Sequence, residues 1–370
     1  MPIKVLHFYK QYFPDSTGGV EQSIFQLCEG GAAHGLAPKV LTLADQAGQQ
    51  TVEHHSVVQV KKNFELASTG FSYAALPVFK RMAAEADLVH FHFPWPFMDL
   101  VHLLANINTP SLVTYHSDIV KQKYLLKAYR PLMMHFLHSV DHIVATSPAY
   151  LNSSKILQHF SGKVSCIPLG LDEQLFPGLC SENLQHWKER FQQPFFLFVG
   201  QLRYYKGLSY LLDAAQGLNI PIVIAGSGPE ADNLKRQAVT LGLAQVHFLG
   251  SISELDKASL LHLCHCFVFP SHLRSEAFGL ALLEAAMHGK PMISCEIGTG
   301  TSYINLHKET GLVVSPANPS ALRDAIEWMA NSKPEAMQMG LAARARYLTH
   351  FTGEVMVQRY IELYQQLLKH

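Results

Sequence analysis

The stretch PSHLRSEAFGLALLEAAMHGKP, residues 270–291, sets Glu276 and Glu284 among apolar and small residues, with the pair Phe278-Gly279 just after the first. Such carboxylates address hydroxyl groups, cap a helix N-terminus, or stay solvated and paired. Helix is expected to begin near Gly279, so Glu276 falls ahead of it and Glu284 about one and a half turns inside, off any shared helical face. The amides of Phe278, Gly279 and Leu280 then point from a helix N-terminus, where orphan N–H groups and the helix dipole favour an anion. Gly279 lets a ligand approach the backbone closely. Carboxylates beside an anion make sense if they address neutral hydroxyls flanking a phosphate, a sugar on one side and a ribose on the other.

A second loop has the opposite charge. FVGQLRYYKG, residues 198–207, ends a strand-like run with glycine and then presents Arg203 and Lys206. A guanidinium and an ammonium there suit a diphosphate, since charge-assisted hydrogen bonds contribute about 1.5–3 kcal/mol each. Either cation taken singly is also an ordinary solvated surface charge. AGSGPE (225–230) and GSISELDKASL (250–260) end two further runs with glycines and small polar residues. A different cluster, HLCHC at 262–266, packs thiols and imidazoles together, as a zinc site or as a buried helix-to-strand junction; it lacks a second separated ligand pair and runs straight into FVFP.

The elements that must position these loops form a repeating pattern. IKVLHFY (3–9), KVLTL (39–43), DLVHFH (87–92), SLVTYH (111–116), HIVATS (142–147) and KVSCIP (163–168) are short apolar runs separated by helix-length segments. Glycines 18 and 19 open the first of those helices. The rhythm stops in a proline- and glycine-bearing stretch near 172–193, then resumes with FFLFVG (195–200), PIVIAG (221–226), VHFLG (246–250), CFVFPS (266–271), PMISC (291–295) and GLVVSP (311–316). Such alternation predicts two doubly wound α/β domains with parallel sheets. The first is expected over 1–172, joined by a C-terminal amphipathic helix over 353–370, and the second over 173–352. Residues 319–350 read as helix. Ligands of such sheets bind beyond the carboxyl ends of the strands, so a site is expected in a cleft between the two domains.

The blocks FVGQLRYYKG, IAGSGPE, VHFLGSISELDKASLL, CFVFPSHLRSEAFGLALLEAAMHGKPMISCEIGTG and TGLVVSPANP, taken in order, resemble the retaining glycosyltransferases of family 4, with the GT-B architecture. YFPDSTGGVEQSIFQL and CIPLGLD extend the resemblance over nearly the whole chain. It implies that Glu276 meets the donor hexose, that Glu284 holds the ribose hydroxyls, and that the backbone from Ala277 through Phe278 and Gly279 to Leu280 meets the distal phosphate. Lys206 matches the family lysine that cradles the diphosphate. The family arginine position is Gln201 here, and Arg203, two residues on, either takes its place or points elsewhere. Gly250, Ser251 and Ile252 resemble the base-binding loop, and Gly18 and Gly19 the loop lining the cleft from the other domain. His116 matches a histidine near the reacting sugar, and Asp118 in HSD is a further candidate for acceptor contact.

The resemblance implies transfer of a hexose with retained configuration, driven by stabilising the departing nucleoside diphosphate through Arg203, Lys206 and the helix amides. It implies no cofactor and no metal, and the donor loops contain no obvious Asp-x-Asp. Likeness to mannosyltransferases, including GTGTSYIN (298–305), points to GDP-mannose and to a saccharide or lipid-linked acceptor in surface polysaccharide synthesis. A sugar-nucleotide epimerase and a non-catalytic sugar-nucleotide binding protein share the fold and remain alternatives. A dinucleotide dehydrogenase is disfavoured, because no G-x-G-x-x-G follows the first strand.

Composition narrows the setting. With 29 basic and 29 acidic residues among 370, the formal charge is zero, so no general pull toward nucleic acid is expected. The N-terminus does not read as a signal peptide and no run approaches the length of a membrane span. Six cysteines without an even framework read as reduced thiols, which predicts a cytoplasmic protein. KQKYLLKAYRPLMMHFLH, 121–138, is a basic amphipathic helix that suits the inner face of an anionic membrane or an ordinary domain surface. FHFPWPF, 91–97, suits acceptor gripping or packing.

Overall fold

The computed structural model describes residues 2–66, 69–119 and 123–369 of the chain, without the side chains of 123–125. They divide into two compact units, Met1–Leu171 with Gly353–His370, and Asp172–Thr352.

In the first unit the apolar runs form β1 (Ile3–Phe8), β2 (Leu36–Ala44), β3 (Gly48–Val52), β4 (His55–Lys61), the separate hairpin β5 (Phe64–Leu66) and β6 (Thr69–Phe71), then β7 (Leu88–Phe93), β8 (Ser111–Tyr115), β9 (His142–Ala145) and β10 (Val164–Cys166). The main sheet has the order β10-β9-β8-β7-β1-β2-β4-β3. All its pairings are parallel except that of β3 with β4. β7 and β8, covered on both faces, are buried throughout even though His90, His92, Ser111 and Thr114 interrupt their apolar runs. Aromatic rings dominate this core: Phe8 lies 5.1 Å from Phe79, and Phe79 lies 5.8 Å from Phe91. The β3–β4 ribbon was not expected, because QQTVEHHSVVQV lacks a clean apolar alternation. Its turn is made by Glu53, held at φ 45°, a conformation non-glycine residues rarely adopt.

The C-terminal helix, Gly353–Leu367, belongs to the first unit and packs on the helix Gly19–Ala33. Its inward hydroxyls reach into the sheet: Tyr364 pairs with His90 Nδ1 at 2.8 Å, and Tyr360 with Thr114 Oγ1 at 2.7 Å. The stretch 121–138 contributes a helix from Lys123 to Ser139. Lys121 lies outside the described residues, as does the side chain of Lys123. Met133, Phe136 and Leu137 are buried while Lys127 and Arg130 are exposed. Phe93, Trp95 and Phe97 are likewise buried, which favours packing for that aromatic run. Among the described residues no helix is long and apolar enough to cross a membrane.

The second unit contains β11 (Phe196–Val199), β12 (Ile222–Ala225), β13 (Val246–Gly250), β14 (Cys266–Phe269), β15 (Met292–Cys295) and β16 (Gly311–Val314) in the order β13-β12-β11-β14-β15-β16. Every pairing is parallel. The order reverses between β11 and β14, so the loops leaving those strands flank a crevice of the kind that binds ligands in open α/β sheets. The expected connection near 172–193 holds a helix, Ser181–Arg190, tied down where Asn183 and Trp187 donate to Asp256 at 2.7 and 2.8 Å. The helix expected over 319–350 is two, Pro319–Asn331 and Lys333–His350, divided at Ser332. The HLCHC segment is the end of one helix and the start of β14, with Cys264 and Cys266 buried and His265 bonded to the Met329 carbonyl. All six cysteines are free.

Candidate active site

The loop after β11 turns through Tyr204–Lys206 and enters its helix at Gly207, which has φ 70°. A Cβ at Gly207 would lie 2.0 Å from the Pro270 carbonyl oxygen, so only glycine permits this loop to press against the one leaving β14. The His272 amide completes the junction by donating to the Tyr205 carbonyl at 3.0 Å.

That contact delivers Lys206 to Glu276. The ammonium lies 2.5 Å from Glu276 Oε2, and both side chains are 11 % exposed. Ser271 Oγ donates to the same oxygen at 3.2 Å, and the ammonium sits 4.6 Å from the centre of the Phe269 ring. Removing either member of so buried a pair strands the other charge. Arg203 is not part of this cluster. It is exposed, and its Nε donates to Gln201 Oε1 at 2.7 Å.

The helix after Glu276 runs from Leu280 to Met287, with Gly279 as its N-cap at φ 96°. The glycine is required by that angle, and its neighbours on the far side are Phe269, Leu282 and Thr301. Among the described residues the amides of Phe278, Gly279 and Leu280 have no hydrogen-bond acceptor. The Phe278 side chain is buried and packs against Gly300 and Phe351, leaving its backbone as the part available to a ligand. Ala277 is half-buried, and its carbonyl accepts from the Gly300 amide at 2.9 Å.

Glu284 sits within the helix, where its Oε1 lies 3.1 Å from Lys257 Nζ. Burial raises its carboxyl above the ordinary value, outweighing the pull of Lys257. Burial also works against the Lys257 ammonium, but Glu284 and Glu254 together hold it above its usual range. Lys257 bonds Glu254 as well, at 2.7 Å. In the neighbouring loops Gly250 accepts from the Gly226 amide at 2.7 Å, Ser251 Oγ bonds Ser227 Oγ at 3.0 Å, and Ile252 is half-buried.

In the first unit Gly18 caps the helix that starts at Gly19. Behind them lies Glu21, 3 % exposed, its Oε1 accepting from Gln11 at 2.6 Å and Ser16 at 2.7 Å. His116 follows β8 and is buried, and burial pushes its imidazole down to about 3. Asp118 is anchored through Oδ1, which accepts from Tyr115 at 2.8 Å and Ser154 at 2.9 Å.

Sequence reading missed Glu21, Lys257 and three buried histidines, His7, His90 and His92, which lie close enough together to share a metal ion. The signal was available in LVHFHF, where residues two apart on a strand face the same way, and His7 pairs in register with His90. In the structure His90 uses both nitrogens on the hydroxyls of Tyr364 and Thr114, and His7 and His92 bond each other.

Two doubly wound sheets, parallel in every pairing but that of β3 with β4, define a fold of the GT-B type. Residues 17–175 match the family model for Glycosyltransferase Family 4, and residues 181–346 that for Glycosyl transferases group 1. The D-rhamnosyltransferase WbpZ of Pseudomonas aeruginosa is 54 % identical over 95 % of this chain and 93 % of its own. O-antigen chain mannosyltransferase C of Escherichia coli is 47 % identical over 99 % of each. Among solved structures, sucrose-phosphate synthase from Thermosynechococcus elongatus superposes with a TM-score of 0.83 at 22 % identity, covering 99 % of both chains. The Anabaena protein HepE, solved with UDP-glucose, does so with 0.79 at 18 %, over 98 % of this chain and 100 % of that one. The chain therefore belongs to the family 4 glycosyltransferases, which takes the epimerase and binding-protein alternatives out of favour.

Proposed function

We propose that the enzyme moves a hexose from a nucleoside diphosphate donor to a saccharide or lipid-linked saccharide, with retention of anomeric configuration, in O-antigen-type polysaccharide synthesis. The reading rests first on the Lys206–Glu276 pair, held at the switch point beside the acceptor-free amides of Phe278, Gly279 and Leu280. Lys206 and those amides stabilise charge on the departing diphosphate, and Arg203 adds to the field once it leaves Gln201. Glu276 Oε1 and Oε2 have lone pairs to spare for hexose hydroxyls while Lys206 stays bound. Glu284 holds the ribose, keeping Lys257 as its counter-ion, and Gly250, Ser251 and Ile252 meet the base.

The bond between the anomeric carbon and the diphosphate oxygen breaks as the acceptor oxygen bonds to that carbon, and the acceptor proton passes to the departing phosphate. His116 meets the reacting sugar and Asp118 orders the acceptor side of its loop. Gly18 and Gly19 give the donor room.

GDP-mannose is the donor proposed, with the enzyme working in the cytoplasm or at the inner face of the membrane. A relative named for mannosyl transfer at 47 % identity supports this. A second reading, GDP-D-rhamnose, is favoured by the relative at 54 % identity. D-Rhamnose is 6-deoxymannose, so the two donors differ only in one hydroxyl, and a pocket that merely accommodates that group discriminates weakly. Incubation with a panel of sugar nucleotides, with and without lipid-linked saccharide, decides between them. Acceptor-dependent release of GDP from GDP-mannose is the expected result. Turnover of only GDP-D-rhamnose replaces the donor, and turnover of neither GDP sugar overturns the assignment.

A further inference from the structure

A line of three imidazoles runs through the sheet of the first unit. His116 Nε2 lies 3.1 Å from His92 Nδ1, and His92 Nε2 lies 3.1 Å from His7 Nδ1. The rings meet edge to edge, their centres 5.4 Å apart with 25° between the planes of His92 and His116, and 5.4 Å apart with 21° between those of His7 and His92. All three are buried, and burial depresses their basicity, so each ring is neutral and has a single N–H.

Proton counting then links the two hydrogen bonds. His92 has one N–H to share between two neighbours, so it donates to one and accepts from the other. If His7 Nδ1 donates, His92 Nδ1 donates onward, and His116 must have its proton on Nδ1. If His7 Nδ1 accepts, His92 Nε2 is the donor, His116 donates through Nε2, and its Nδ1 is a bare lone pair. The two settings present opposite chemistry at His116 Nδ1, which has no partner among the described residues. An isolated surface histidine would exchange between them freely, whereas here all three rings must switch together.

We propose that His92, backed by His7, is a positioning residue that fixes the tautomer His116 offers to the reacting sugar. The proposal rests on the reading that His116 meets that sugar. It gives a task to two buried imidazoles that lie behind His116, and it explains why polar rings occupy a strand face that apolar residues would otherwise fill. His90, stacked 4.4 Å from His92, is bonded to hydroxyls on both sides and stands outside the line.

Long-range 15N NMR of the histidine rings in the full chain reads the tautomer directly. The wild type is expected to show His116 in one tautomer, and both His92→Phe and His7→Phe are expected to mix or invert it. The second variant matters because His7 does not bond His116, and it keeps the test open if His92→Phe fails to fold. Transfer should fall about ten- to a hundredfold in kcat, the scale of one or two lost hydrogen-bond increments in the transition state, with the donor KM unchanged. A wild-type His116 already in mixed tautomers, or a His116 signature and kcat untouched in both variants, overturns the proposal. If His116→Phe transfers normally, the underlying reading falls instead, whatever the NMR shows.

Discussion

The two units share one architecture and solve the problem of buried polar groups in different ways. In the first, the strands themselves hold imidazoles and hydroxyls: His7, His90, His92, His116 and Thr114 are all buried and bonded to one another or to Tyr360 and Tyr364. In the second, the central strands β11, β12, β14 and β15 are made mostly of apolar side chains, and the ionic groups sit in the loops and helix beyond them as Lys206–Glu276 and Lys257–Glu284. Neutral rings survive deep burial because each can be satisfied by a hydrogen bond. Full charges survive only where a counter-ion is within reach and water is close enough to limit the desolvation cost.

Acidification should break this comparison most strongly. Burial depresses His7 and His116 from 6.5 to about 3, so the unfolded chain binds protons that the native fold refuses. Their contribution is fully present above about pH 6.5 and is lost as pH falls toward 3. Each imidazole removes about 1.4 kcal/mol per pH unit in that window, and the two together about 2.7. Hydrogen exchange followed from pH 7 to 4.5 should show β1, β7 and β8 losing protection before β11 and β14. Equal loss in both sheets would argue against the neutral-ring account.

The ion pairs should dominate activity instead. Lys206→Ala and Glu276→Ala are each expected to lower kcat/KM by about 10²–10³, the scale of losing one preorganised electrostatic contact, while circular dichroism reports a folded chain. Because the two groups act as one, the double variant should lose little more than either single, and simple multiplication of the losses would separate them.

Smaller effects sharpen the contrast. Tyr364→Phe leaves His90 Nδ1 without its hydroxyl partner and should cost about 1–3 kcal/mol in urea unfolding with kcat unchanged. Glu284→Gln keeps the shape but removes the charge that faces Lys257, and should raise the donor KM about tenfold with little change in kcat, the signature of lost uniform binding. A fall in kcat with constant KM would move Glu284 from the ribose to the chemistry.

Much of the fold was legible because parallel strands buried on both faces announce themselves as unbroken apolar runs. All six strands of the second sheet lie within the runs read from sequence. The β3–β4 ribbon and the hairpin of β5 and β6 were not, since β3 at the sheet edge, the half-buried β4 beside it and the small surface hairpin lack that signature. For the candidate site, spacing and loop position marked Glu276 and Lys206 as candidates beside ordinary readings as a helix cap and a surface charge, and only the family resemblance gave them roles. Their direct pairing was not visible, because it depends on Gly207 meeting Pro270 across residues distant in the chain. For Arg203 the sequence left two alternatives, replacing the family arginine or pointing elsewhere, and in the structure its Nε donates to Gln201.

The sequence by itself determined the class of fold, the two units of alternating strand and helix, and the helix N-terminus at Gly279, because these depend on local periodicity, turns and caps. Only the tertiary structure decided which charges meet and which rings align. A hydrogen bond between His7 and His92, or between Glu284 and Lys257, is set by strand order and loop packing, and residues many positions apart acquire their chemistry only when the sheet brings them within bonding distance.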